Sequence, residues 1–210
     1  GKVVLAHLNL FEVSTFRYGV IAALIVSLGE FGMLFTLPLV LQGAMGYNAL
    51  STGWLMMALA VGTFLVSGAT PQLTRRLGQR HVVRIGLGLE AVAIAGLAIA
   101  LPGATWMLAV MLFVYGLGVG MATAQLTSVI LSQVPLKWSG EASGMQTTFR
   151  QLGSALGVAL LGGLLISSLS GTTDDHLSAA GVPSAQREIV VTAVHESVGA
   201  AIPALAANPQ

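Results

Sequence analysis

Between Glu30 and Arg75 this chain runs for 44 residues without a charged side chain, and between Glu90 and Lys137 for 46. A membrane-spanning helix needs about 20 mostly apolar residues, so each gap has room for two such helices and a short turn. A water-soluble domain could not cover its surface with stretches of this kind. Composition agrees: charged residues make up 8% of the chain, against about 25% in soluble globular domains. Apolar residues reach 55%, and 26 glycines suit helices that approach closely in lipid. An all-α membrane protein is expected.

Several function classes fall away. With no cysteine there is no disulfide framework, thiol chemistry or Cys-based metal site. The net charge is +1 and the basic residues are local, so no nucleic-acid surface is expected. His195-Glu196-Ser197-Val198-Gly199 opens like a zinc-protease helix but lacks the second His. Gly140-Glu141-Ala142-Ser143-Gly144 has its Ser one position late for a nucleophile elbow. Gly86-Leu87-Gly88 follows no strand and lacks the third Gly of a dinucleotide fingerprint. No enzyme, cofactor or metal is expected.

Five apolar segments can be drawn at about 19–42, 53–73, 84–101, 106–131 and 145–169. Counted on alternating sides, Lys2, Arg17, Arg75, Arg76, Arg80, Arg84 and Lys137 fall on one side and only Arg187 on the other. Basic loops stay in the cytoplasm, so residues 1–18, the 74–84 connection and 132–144 are expected inside a cell (inner) membrane. Residues 43–52, 102–105 and 170–210 are then extracytoplasmic. The acidic tail reads as a loop, with Ser184 capping a short helix that carries Ile189, Val194 and Val198 roughly on one face. Five spans leave the termini on opposite sides, and the chain opens on Gly1 and ends in a polar stretch. A piece of a longer transporter is expected.

Three stretches resemble the major facilitator superfamily, in its fourteen-span drug:proton antiporter branch. Leu37-Pro38-Leu39-Val40-Leu41-Gln42 with Gly46–Gly53 looks like the end of the first span of that family's C-terminal half and the loop after it. Arg75-Arg76-Leu77-Gly78-Gln79-Arg80 is similar to the family's basic loop motif, here with Arg75 where the motif has an acid and Pro71 where it has Gly. Gly140–Gly144 and Arg150-Gln151-Leu152-Gly153-Ser154-Ala155-Leu156-Gly157 look like the fifth span of that half. The resemblance implies five of the six helices of a C-terminal bundle, with the last span and the N-terminal half lying outside this sequence. It also implies exchange of protons for small amphipathic or cationic compounds, such as drugs, by alternating access.

Glu30 is the sharpest candidate, near the middle of its segment and about 17 Å from either end. An acid at that depth costs on the order of 2.5–3.5 kcal/mol to insert, so it should face a cavity or a partner, or keep its proton. It either carries the coupled proton or packs, protonated, against a neighbouring helix. Glu90 and Arg150 lie about two turns inside their segments, where each can snorkel or the two can pair as a cytoplasmic gate. Met33, Gln42, Tyr115, Gln125 and Gln146 are candidate pocket residues, with packing the alternative for each. The arginine cluster fixes topology or meets anionic lipid. Gly116/Gly120 and Gly153/Gly157 are small-residue pairs at i, i+4 that let helices approach closely. The competing functional reading is a non-transporting membrane subunit or sensor that uses these helices for assembly.

Overall fold

The computed structural model describes residues 8–100 and 105–196, and those residues are helical apart from short connections. After a 3₁₀ turn at Leu8–Glu12 come α1 (Ser14–Leu39), α2 (Ala49–Leu77), α3 (Gln79–Ala100), α4 (Thr105–Leu131), α5 (Ser139–Ala179) and α6 (Ser184–Glu196). Five helical stretches are long and apolar enough to cross a bilayer, the first running on through a π-helical turn to Ala44. Side chains such as Ile25, Phe64, Ile99 and Leu164 point outward from these helices, as expected where lipid rather than water is the solvent.

Helix ends follow backbone chemistry rather than polarity. Asn48 caps α2, its Oδ1 accepting the Ser51 N–H at 2.7 Å. Only Gly78 separates α2 from α3, and its φ of +82° is the left-handed conformation that lets one residue turn the chain. The basic connection is therefore a helix–helix corner instead of a loop. Arg75 and Arg76 close α2, where cations complement the negative helix end, while Arg80 and Arg84 lie in the first turns of α3.

The fifth helix departs most from expectation. It continues ten residues beyond Leu169 and carries Asp174 and Asp175 as helical residues. It stops at a Schellman motif: Gly181 has φ +77°, its N–H donates to Ser178 O, and Val182 N–H donates to Leu177 O. Pro183, through a carbonyl that accepts the Arg187 N–H, supports the start of α6, and Ser184 is already helical. Val194 is buried while Ile189 is 71% exposed, so the expected shared apolar face does not form; Val198 lies outside the described residues. Arg187 of α6 reaches Asp174 of α5 at 3.0 Å.

The chain forms two compact units. One comprises residues up to Ile25 with Gly53–Gln151, the other Val26–Thr52 with the chain from Leu152 on. In the first, α4 is flanked by α2 and α3. A cluster of Leu10, Phe16, Val20, Ile130, Val134 and Ala142 closes one end, with Phe11 edge-on to Phe16. At that same end Gln79 Nε2 donates to Ser128 Oγ at 2.8 Å. In the second, α1 and α5 meet where Gly157 lies against the Leu28 backbone and Gly32 against the Gly157 carbonyl.

Candidate functional site

The first helix buries one stripe. Ala23, Ser27, Glu30, Leu37 and Leu41 recur at helical spacing and all are buried, which is the periodicity of a single inward face. Ser27 and Glu30 are its polar members, one turn apart, and Glu30 is 8% exposed. Glu30 sits one residue past the middle of the 31-residue Ser14–Ala44 stretch. Leu28 and Gly32, two residues to either side, belong to the opposite face that meets α5. The carboxyl is thus set apart from the α1–α5 packing seam. Met33, one turn farther, is half-buried, whereas Gln42 is exposed in the π-helical turn. Ser27 was not singled out from the sequence; its i−3 spacing from Glu30 was the available signal.

In the other unit the chemistry gathers around α4. Gly116 and Gly120 lie against Leu59, Thr63 and Val66 of α2, and Thr63 Oγ1 donates to the Gly116 carbonyl at 3.0 Å. Gly118 faces the opposite way, onto Gly86 and Glu90 of α3. Successive residues turn by about 100°, so a Gly-x-Gly-x-Gly run offers close approach on two sides at once. Glu90 is buried on this second seam, eleven residues into α3 and deeper than its apolar segment implied. Arg150, half-buried, is likewise eleven residues into α5.

Tyr115 is fully buried on α4 and Gln125 half-buried. Gln146, 3% exposed on α5, donates from Nε2 to Thr127 Oγ1 of α4 at 2.7 Å. Its Oε1 is buried without a hydrogen-bond donor, as is the hydroxyl of Thr123 one turn from Thr127. On α5, Gly153 and Gly157 are buried one turn apart. Arg75, Arg76 and Arg80 are exposed around Gly78. In one unit the candidates gather at the α4 seams and the basic corner; in the other they lie on the Glu30 stripe of α1 and on α5 at Gly153 and Gly157. Among the described residues no group of acids and histidines is arranged to hold a metal ion.

The sequence is similar to those of known proteins. The model of the Major Facilitator Superfamily matches residues 2–158. The chain belongs to that superfamily. Among its relatives, the multidrug resistance protein Stp of Mycobacterium tuberculosis is 27% identical over 190 residues, 90% of this chain and 35% of that protein. The putative multidrug resistance protein MdtD of Pectobacterium carotovorum is 28% identical over 205 residues, 97% of this chain and 43% of its own length. MdtD of Yersinia pestis is 24% identical over 209 residues, covering 99% and 44%. The chain therefore spans less than half the length of these curated relatives. As a Major Facilitator chain with five membrane-length helices it is a multi-pass membrane protein of a transporter family, and not an enzyme.

Proposed function

We propose that this Major Facilitator chain forms most of the C-terminal six-helix bundle of a proton-coupled exporter. Its cargo is small amphipathic or cationic compounds, moved by alternating access. The remaining span and the N-terminal half belong to the same longer polypeptide. The names of the relatives support drug export, and their greater length supports the division. The observation that carries the coupling mechanism is Glu30, a carboxyl buried one turn from Ser27 near the middle of the Ser14–Ala44 stretch. An acid at midplane is costly and has little place in a helix that only packs. Proton and cationic cargo compete for this one carboxyl, so binding of either releases the other, and the bundle changes its facing between the two events.

In this proposal the Arg-rich corner lies in the cytoplasm of a cell whose inner membrane holds the protein, following the bias of basic residues. Glu90 and Arg150, at equal helical depth, serve the cytoplasmic closure. Tyr115, Gln125, Gln146 and Met33 contribute contacts to cargo. The test is Glu30→Gln in the full-length transporter, with export of a cationic dye driven by an imposed pH gradient. Loss of gradient-driven export with normal membrane insertion is expected. Export at the wild-type rate removes Glu30 from the mechanism.

A further inference from the structure

A groove of about 430 Å³ opens at the basic end of the unit that contains α2, α3 and α4, within the range of about 300–1,000 Å³ typical of small-molecule sites. Its walls come from the start of α1, the start of α3 and the end of α4. Arg80 and Arg84 stand on it one turn apart on α3, and Thr15, whose hydroxyl donates to Gln133 Oε1, and Tyr18 line it from α1. Leu126 and Val129 of α4 form an apolar floor. No carboxylate lines the groove, and among the described residues neither arginine is in an ion pair. A third cation stands at the rim: Arg17 lies over the Tyr18 ring, 4.8 Å from its centroid, and donates to the Tyr18 hydroxyl. Away from the arginines the surface turns apolar, with Ile21 and Ile25 exposed along α1 and Ile85 on α3.

A small soluble anion would use the cations and leave the floor and the apolar strip uncovered. A wholly apolar occupant would cover the floor and leave the two exposed guanidinium groups without an anion. An amphipathic anion satisfies both. We propose that this groove binds an anionic glycerophospholipid of the surrounding leaflet, its phosphate between Arg80 and Arg84 and its acyl chain along Ile21 and Ile25. Guanidinium groups suit the phosphate through paired N–H donors. The groove lies on the side where basic residues concentrate, which is where anionic lipids of the cytoplasmic leaflet are met. This inference does not depend on transport.

The experiment is lipid retention by the full chain extracted from vesicles of equal phosphatidylglycerol and phosphatidylcholine, read by mass spectrometry of the intact complex. The wild type retains phosphatidylglycerol preferentially. Arg80→Gln with Arg84→Gln lowers that preference on the order of tenfold, while Arg75→Gln with Arg76→Gln, which removes the same charge outside the groove, leaves it unchanged. Arg80→Lys with Arg84→Lys, which keeps the charge but not the paired donors, retains a preference between those of the wild type and the glutamine pair, which separates loss of charge from loss of fold. Added glycerophosphate, a head group without acyl chains, does not displace the lipid. Equal loss in both glutamine pairs would mean unspecific surface attraction and overturn the site. No loss in either pair, as when another helix of the longer chain fills the groove, overturns it too. Displacement by glycerophosphate would reassign it to soluble phosphates.

Discussion

Gly118 of α4 lies directly on Glu90 of α3: a Cβ placed on the glycine would stand 2.7 Å from Glu90 Cγ, and equally close to the Gly86 carbonyl oxygen. A flexible side chain can move aside, but the Gly86 carbonyl and the Glu90 amide, 2.9 Å away, are helix backbone. The seam must therefore open to admit even one methyl group.

Gly118→Ala is accordingly expected to destabilise the chain by about 1–3 kcal/mol through overpacking. Gly88→Ala, two residues from Glu90 on the same helix with open space around it, is expected to be neutral or to gain up to about 1 kcal/mol from helix propensity. Unfolding in detergent followed by circular dichroism checks the pair. Equal stability of the two variants would mean that α3 and α4 are not in backbone contact.

The single-residue corner gives a second expectation. Gly78 has open space around its Cα, so sterics do not exclude a side chain; its φ of +82° does. Gly78→Ala should cost about 1–2 kcal/mol, and Gly78→Asn clearly less, because Asn visits the left-handed region more readily. The same unfolding measurement reads both. Equal losses from Ala and Asn would contradict a left-handed corner.

These two positions also mark how far the sequence could be read. The two charge-free runs, with the apolar stretch after Arg150, sufficed for five membrane-length helices, because lipid exposure demands apolar side chains nearly all round. They were a poor guide to helix ends. Charge marks where water begins, whereas a helix stops where backbone geometry stops it, so α2 and α3 run through the basic stretch up to Gly78 and α5 runs past Asp174 to Gly181. Gly116 and Gly120 stand out by their i, i+4 spacing, but Gly118 faces the other way and escapes a search for one face. Glu30 was legible because a lone acid in an apolar run is conspicuous. The Gln146–Thr127 rung was not, since it depends on the register between α4 and α5.

The single proton of the Thr63 hydroxyl has two carbonyl acceptors in reach, Gly116 O on α4 at 3.0 Å and Leu59 O on its own helix at 3.1 Å. Thr63→Val keeps the shape and removes the donor. Interhelical hydrogen bonds in membranes average about 0.6 kcal/mol and reach at most about 1.7, so a loss in that range is expected in the same unfolding assay. A loss beyond about 2 kcal/mol would mean that the valine disturbs packing against Gly120 as well.

Gln146 separates packing from cargo binding. As a packing residue it makes one bond, to Thr127 at 2.7 Å, and leaves Oε1 buried without a donor. Replacing it by Leu removes the bond and that unsatisfied oxygen together. Losing the buried unsatisfied oxygen offsets the loss of one net hydrogen bond, and the half-buried Thr127 hydroxyl can turn to its own helix backbone. Gln146→Leu is therefore expected to change stability by less than about 1 kcal/mol. The proposed function adds a second expectation, because an acceptor facing cargo would favour compounds with N–H donors. In the full-length transporter, Gln146→Leu should lower export of a primary or secondary amine while sparing a quaternary ammonium compound of similar size. Paired transport rates, measured at equal protein abundance, give the ratio. A shifted ratio with unchanged stability assigns Gln146 to the cargo pocket. An unchanged ratio with unchanged stability leaves it as a replaceable rung between α4 and α5.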